Sequence, residues 1–229
     1  MTNNHRFAGV RALFFDLDGT LIDSKLDLAL SVNAALAAMG HRTLEHESIG
    51  GFIGNGAPAL IRRALETASN SLPYEKDIAR SLEFFLAHYR EHMLDNTVLY
   101  PGAKECLEQL AARQDVPGLA VLTNKPVRIS REILAGLGVA GYFRYIYGGN
   151  SFERKKPDPM GVEILLRDFG IGAGEAMMVG DSEIDMQTAR NARIWACGVT
   201  YGLGSHRLAE HPPDLLLDSL AELPARLAK

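Results

Sequence analysis

Asp16 and Asp18 flank Leu17 directly after the apolar run Ala12-Leu13-Phe14-Phe15 and directly before Gly19-Thr20. If the strand stays extended, residues i and i+2 project to one side, so the two carboxylates converge. Anions this close are unfavourable unless a cation joins them or one group keeps a proton. Taken alone, Asp-x-Asp-Gly also describes a solvated turn. A second acidic loop weighs against that reading. Met177-Met178-Val179 leads into Gly180-Asp181-Ser182-Glu183-Ile184-Asp185, again acids immediately after an apolar run. Asp181 and Asp185 share a face if a helix begins by Ser182. By itself this second loop could be a helix start whose acids complement the macrodipole. Together the loops offer Asp16, Asp18, Asp181 and Asp185, an oxygen-rich set that suits a hard divalent cation. Mg²⁺ fits best, because it needs few carboxylates and leaves positions for phosphate oxygens.

Two further loops carry the opposite polarity. Thr123-Asn124-Lys125-Pro126 follows Leu119-Ala120-Val121-Leu122 and offers a hydroxyl, an amide and backbone N–H groups. Arg154-Lys155-Lys156-Pro157 brings lysine after a third apolar run. Alone, this basic run is a solvated loop. Facing clustered carboxylates and a phosphoryl group, a lysine there has an electrostatic task. Lys156, fixed by the following proline, is preferred over Lys155.

These loops need a scaffold that delivers them to one edge. Ala12–Phe15, Leu119–Leu122, Tyr145–Tyr147, Ala176–Val179, Ile194–Cys197 and Leu215–Leu217 read as buried strands. Ala103–Arg113, Arg128–Leu137, Gly161–Phe169 and Glu183–Asn191 show helical spacing between them. Alternating units of this kind predict an α/β core with a doubly wound parallel sheet. About a hundred residues separate Phe15 from Leu119, far beyond an ordinary crossover. Leu26–Met39, Ala57–Ala68 and Asp77–Leu94 are helical in that interval, and no strand is expected there. The expected organisation is therefore a catalytic core of residues 1–23 and 97–229, with a small α-helical cap of residues 24–96 inserted after the first strand. An insertion at the carboxyl end of a strand overhangs the ligand crevice of an open α/β sheet and is a candidate lid. Its expected hinges are Leu21–Ser24 and Asp95–Pro101.

The chain has 229 residues, 47% of them hydrophobic and 23% charged, values of an ordinary folded protein rather than a disordered or fibrous one. Its net charge of −4 argues against broad binding to nucleic acid or an anionic membrane, while leaving room for a small anionic substrate at a local cation. Cys106 and Cys197 form no CxxC pair and are expected as reduced core residues. No apolar run is long enough for a secretory leader or a membrane span, so a cytoplasmic location is expected. Monomer and homodimer both stay open.

The four motifs, Asp16-x-Asp18-Gly19-Thr20, Thr123, Lys156-Pro157 and Gly180-Asp181-x-x-x-Asp185, resemble in order those of the haloacid dehalogenase superfamily of aspartate-nucleophile phosphotransferases. The helical insertion is similar to that family's cap. The resemblance implies that Asp16 attacks phosphorus and forms an aspartyl-phosphate, and that Asp18 is the general acid and base. It implies that Thr123 and Lys156 hold phosphate oxygens, with Gly19, Thr20, Asn124 and Lys125 lining the substrate site. It places Mg²⁺ on Asp16, the Asp18 backbone carbonyl and Asp181, with Asp185 close or acting through water. An acid at position 18 resembles the phosphotransferases rather than the dehalogenases. Thr20 resembles the phosphatases rather than the sugar-phosphate mutases.

Gly50-Gly51-Phe52-Ile53-Gly54-Asn55-Gly56-Ala57-Pro58 precedes a helical run. No strand leads into it and its glycine order is wrong, so a dinucleotide loop is rejected. A helix start with free N–H groups is an anion site, and Asn55 and Gly56 are the candidates there for a small carboxylate on the substrate. This segment, with Thr123–Pro126, Gly148-Gly149, Lys155–Pro157 and Val199–Gly202, resembles the phosphoglycolate phosphatases, with Asn150 standing where many members have aspartate. The expected reaction is Mg²⁺-dependent hydrolysis of a small phosphate monoester, 2-phosphoglycolate first. A pyrophosphatase, another small-ester phosphatase, a sugar-phosphate mutase and a non-catalytic binder of a phosphorylated ligand are the alternatives. Arg62 and Arg63 are expected in solvent. His41, His46, His88 and His92 form no metal set, Trp195 is expected in the core, and Tyr201–His206 is rim or plain loop.

Overall fold

A computed structural model describes residues 6–113 and 118–227, so the first five residues of the polar start lie outside it. The strands, in chain order, are β1 (Ala12–Phe15), β2 (Ile22–Asp23), β3 (Val98–Leu99), β4 (Gly118–Leu122), β5 (Phe143–Tyr147), β6 (Ala176–Gly180), β7 (Trp195–Val199) and β8 (Leu215–Leu217). The helices are α1 (Lys25–Ala38), α2 (His46–Gly50), α3 (Ala57–Ser69), α4 (Glu75–His92), α5 (Ala103–Ala111), α6 (Val127–Gly136), α7 (Met160–Phe169), α8 (Glu183–Ala192) and α9 (Leu223–Arg226).

Six strands form one sheet in the order β5-β4-β1-β6-β7-β8, and each recorded pairing in it is parallel. The order reverses at β1, where the chain winds to one side through β4 and β5 and to the other through β6, β7 and β8. Such a switch point is where an open α/β sheet leaves a crevice at its carboxyl edge. Register does the rest. Phe15 is level with Val121 and with Val179, so the chain beyond each strand emerges at one edge. Asp16, Thr123 and Asp181 all lie within two residues of that line.

Both faces of the sheet are covered, as the unbroken apolar strands require. Phe14 and its cross-strand partners Ala120 and Met178 pack with Val162 and Leu165 of α7 and Met186 and Ala189 of α8. Small Ala120 beside large Phe14 lets this layer interdigitate. The alternate residues Leu13, Phe15, Val121, Met177 and Val179 are buried on the other face. Cys106 and Cys197 are buried free thiols.

The chain divides into two compact units, Met1–Ile22 with Leu99–Lys229, and Asp23–Val98. The second contains α1 to α4, with α1 packed on α4 and α3 on α4. Its buried Asp27, near the start of α1, accepts four hydrogen bonds: from the Asn96 N–H (3.0 Å) and side-chain amide (2.7 Å), and from the Thr97 N–H (2.8 Å) and hydroxyl (2.7 Å). One carboxylate thus ties the outgoing helix to the returning chain.

Three details differ from the sequence reading. β2 and β3 pair as a two-stranded sheet in the interval where no strand was expected. Two residues each are too few to show a period. α2, only five residues long, occupies a stretch leading into the glycine-rich segment where no helix was expected. Trp195 is half-buried rather than core: its indole N–H donates to the Gly174 carbonyl at 3.0 Å and its ring meets Phe7 edge-on. Among the described residues, no helix is long and apolar enough to cross a membrane.

Candidate active site

β1 ends at Phe15, and Asp16 keeps the ladder for one more bond, its N–H donating to the Val179 carbonyl at 2.9 Å. Its side chain therefore stands at the sheet edge between β4 and β6. Gly19 then turns the chain with φ +85, a conformation that suits glycine. A Cβ at Gly19 would sit 2.4 Å from Asp181 Oδ2, so the turn and the second acidic loop are packed against each other.

Asp16, Asp181 and Asp185 are all buried, and each offers a carboxylate oxygen within 4.8 Å of the others. Lys156 reaches into this group. Its ammonium lies 3.0 Å from Asp16 Oδ1 and 2.6 Å from Asp185 Oδ1, with 2% of its side chain exposed. The contact to Asp16 is an ion pair without a well-directed hydrogen bond, so Asp16 Oδ1 keeps capacity for another partner. Lys155, by contrast, is exposed.

Asp185 has both oxygens committed. Oδ1 takes the Lys156 ammonium, and Oδ2 accepts from the Ser182 hydroxyl (2.6 Å) and N–H (3.2 Å) at the start of α8. This backward reach from the first helical turn satisfies an orphan donor and places the acid at the positive end of the helix. Asp181 is gripped as firmly. Oδ1 accepts from the Thr20 hydroxyl at 2.9 Å, and Oδ2 from the Gly204 N–H at 2.9 Å. Tyr201 closes the arrangement by donating its hydroxyl to the Thr20 carbonyl at 2.8 Å. A Cβ on Gly202 would lie 2.1 Å from Asp181 Cβ. The loop of Tyr201 to Gly204 is thus part of the site's support, which the sequence reading left as rim or loop.

Burial first, and then charge, shifts the titration of these groups. Burial pushes Asp16 up to about 6, with Asp185 adding to the rise and Lys156 opposing it. Burial, then Asp185 and Asp16, push Asp181 up to about 8 despite its two hydrogen bonds. Burial alone would lower Lys156, but Asp16 and Asp185 outweigh it and hold the ammonium above its ordinary value. Three carboxylates against one ammonium leave a formal charge of −2 (−3 + 1) when all are ionised. One divalent cation would cancel it. The oxygen-only donor set and the spare capacity on Asp16 fit a hard ion of the Mg²⁺ kind.

Asp18 stands apart from the three clustered acids. Its carboxylate is paired with Lys125, whose ammonium lies 2.8 and 3.2 Å from its two oxygens. Thr123 is buried beyond β4, with its N–H on the Tyr147 carbonyl (3.0 Å) and its hydroxyl accepting from the Lys125 N–H (3.2 Å). The Asn124 side-chain amide donates to the Lys156 carbonyl at 3.1 Å, coupling the second and third loops. Asn55 and Gly56 belong to the other compact unit, where Gly56 precedes α3 with φ +82 and Pro58 lies in the first turn. Arg62 there is engaged with Glu75 at 2.7 Å, both side chains well exposed. His88 accepts or donates at 3.0 Å with Ser31 and lies tilted against His92, with no metal set around them among the described residues.

A parallel sheet with acids and a buried lysine at its switch point defines a class, and the comparisons agree. The model of the haloacid dehalogenase-like hydrolases matches residues 13–199, and the chain belongs to this family. Among relatives, it is 38% identical to a phosphoglycolate phosphatase of Pseudomonas syringae pv. tomato, over 95% of this chain and 80% of that one. It is 38% identical to the phosphoglycolate phosphatase of Vibrio parahaemolyticus, over 93% of this chain and 94% of that one. A crystal structure of a predicted phosphoglycolate phosphatase from Haemophilus somnus superposes with a TM-score of 0.89 at 34% identity, over 94% of this chain and 96% of that one.

Proposed function

We propose that the protein is a Mg²⁺-dependent phosphatase that hydrolyses a small phosphate monoester, 2-phosphoglycolate being the preferred candidate, through a phosphorylated Asp16. The observation that carries this reading is the buried Asp16–Lys156–Asp185 ion network beside Asp181 at the edge of the sheet. Relatives named phosphoglycolate phosphatase along nearly the whole chain support the choice of ester.

An oxygen of Asp16 forms a bond to phosphorus as the ester oxygen–phosphorus bond breaks. Asp18, which takes up a proton from solvent as the anionic ester enters, gives that proton to the departing alcohol oxygen. It then takes a proton from the water that attacks the phosphorylated Asp16, releasing phosphate and restoring the carboxylate. Lys156 keeps Asp16 oriented and offsets charge as the phosphoryl group arrives, the main task in this chemistry. The Thr123 hydroxyl, beyond β4 at the same edge of the sheet, would donate to a phosphate oxygen. Mg²⁺, held by Asp16, Asp181 and the Asp18 backbone carbonyl, would neutralise phosphate oxygens. Asp185, with its oxygens engaged by Lys156 and Ser182, would add negative charge beside that ion, directly or through water. Thr20 and Gly204 fix the Asp181 carboxylate, as outer partners of metal ligands do.

The test is phosphate release from a panel of esters, with and without chelator, using Asp16→Asn as the blank. Release that favours 2-phosphoglycolate and vanishes with chelator or substitution is expected. Weak release from all esters alike would remove the substrate assignment. Release that survives Asp16→Asn would remove the mechanism.

A further inference from the structure

The geometry points to Lys125 as a positioning residue for Asp18, orienting its carboxyl for proton transfer to the leaving alcohol, rather than as a ligand of the substrate. This rests on the reading of Asp18 as the acid and base.

Lys125 is nearly inaccessible: 4% of its side chain is exposed, against 13% for Asp18. Its ammonium spans both Asp18 oxygens, at 2.8 and 3.2 Å. A grip on both oxygens fixes the carboxyl plane, which a single contact would leave free to turn. The backbone that delivers the ammonium is fixed as well. The Lys125 N–H donates to Thr123 Oγ1 at 3.2 Å, and its carbonyl accepts from the Gly149 N–H at 2.9 Å. Two residues on, Val127 at the start of α6 donates its N–H to Asn150 Oδ1 at 2.9 Å. Gly148 and Gly149 permit this close approach, since a Cβ would lie 2.5 Å from the Lys125 carbonyl oxygen at the first and 2.4 Å from that of Asn124 at the second. The Gly148-Gly149-Asn150 turn is thus a platform under Lys125, and Lys125 joins the second loop to the first across 107 residues. Lys156 already serves Asp16 and Asp185, so the two buried lysines divide the work between nucleophile and acid.

Proton donation matters when the leaving group is a poor one. An alkoxide needs the proton, whereas a nitrophenolate does not. We therefore compare kcat/KM, which reports the first phosphoryl transfer, for 2-phosphoglycolate, ethyl phosphate and p-nitrophenyl phosphate in wild type, Lys125→Met and Asp18→Asn. Because general acid catalysis is worth about 10²- to 10⁴-fold, loss of its orientation should lower kcat/KM roughly 10- to 100-fold for both alkyl esters and less than about threefold for the aryl ester. Adding Lys125→Met to Asp18→Asn should cost almost nothing more, since the residue it orients has gone. Should Lys125→Met fail to fold, Lys125→Leu removes the donor with a smaller side chain and is read in the same way. Equal losses on all three esters would assign Lys125 to the transferred phosphoryl group. A KM effect confined to 2-phosphoglycolate would assign it to the substrate's carboxylate. Either result, no loss at all, or an undiminished loss in the Asp18→Asn background overturns the proposal. Wild type that released no phosphate by an Asp16-dependent route would instead overturn the underlying reading, and that arm is measured first.

Discussion

Replacing Lys156 with methionine removes the one ammonium paired with the buried acids Asp16 and Asp185. Methionine keeps the volume, so the effect is electrostatic. Removing one partner of a buried ion pair typically costs about 3–5 kcal/mol, because the other charge is left unpaired. At ~2–4 °C per kcal/mol for a chain of this size, the melting temperature should fall by roughly 6–20 °C. The loss should depend on pH. Asp16 and Asp181 already stand at about 6 and about 8, above their ordinary 3.8, so the folded state holds protons that the unfolded chain releases. A carboxyl raised in this way makes stability fall as pH rises through the interval between its two values. Without Lys156, Asp16 rises further, so the deficit should be larger at pH 8 than at pH 5. Thermal melts monitored by circular dichroism, in chelator, at those two pH values give the answer. An equal deficit at both, or none at pH 8, would refute the electrostatic reasoning.

Mg²⁺ should raise the melting temperature of the wild type more at pH 8 than at pH 5, because protons on the raised Asp16 and Asp181 compete with it; the reverse order would contradict the assigned ligands. Gly202→Ala, whose Cβ would meet Asp181 at 2.1 Å, should displace that carboxylate and cut kcat/KM by about 100-fold. Its far-ultraviolet spectrum should stay unchanged, and full activity would show that the loop yields freely. Asp27→Ala removes the acceptor of four hydrogen bonds and should loosen residues 95–98 by about 3 kcal/mol, read as faster amide exchange at Asn96 and Thr97. Unchanged exchange there would deny Asp27 its tying role.

Much of the core was legible because its strands are buried on both faces. Ala12–Phe15 stands in the structure with the bounds its apolar run implies, and the acids after β1 and β6 meet because parallel strands in register end together. Leu215–Leu217 also has the expected bounds, but it is an edge strand with Leu216 exposed rather than a buried one. Short elements were not legible: β2, β3 and α2 hold too few residues to carry a period, and α2 ends in glycine. The supports of the site escaped for another reason. Thr20 meets Asp181 across 161 residues and Tyr201 meets Thr20 across 181, contacts that no local spacing announces. Gly202 gave a faint signal at most, because a glycine chosen for close packing looks like any loop glycine until its neighbour is known. Lys125 was visible as a cation beside Thr123, but its partner, Asp18, follows from the turn at Gly148-Gly149 that holds its backbone.

Asp16 should carry the phosphoryl group during turnover. Rapid acid quench of the enzyme with 2-phosphoglycolate and Mg²⁺, followed by peptic digestion in acid, where an acyl phosphate survives, and mass spectrometry, tests this. The peptide containing Asp16 should carry one phosphoryl group early in the reaction, and Asp16→Asn should carry none. Turnover with that peptide unmodified at every quench time, and with Asp16→Asn still active, would show that Asp16 is not the phosphoryl acceptor.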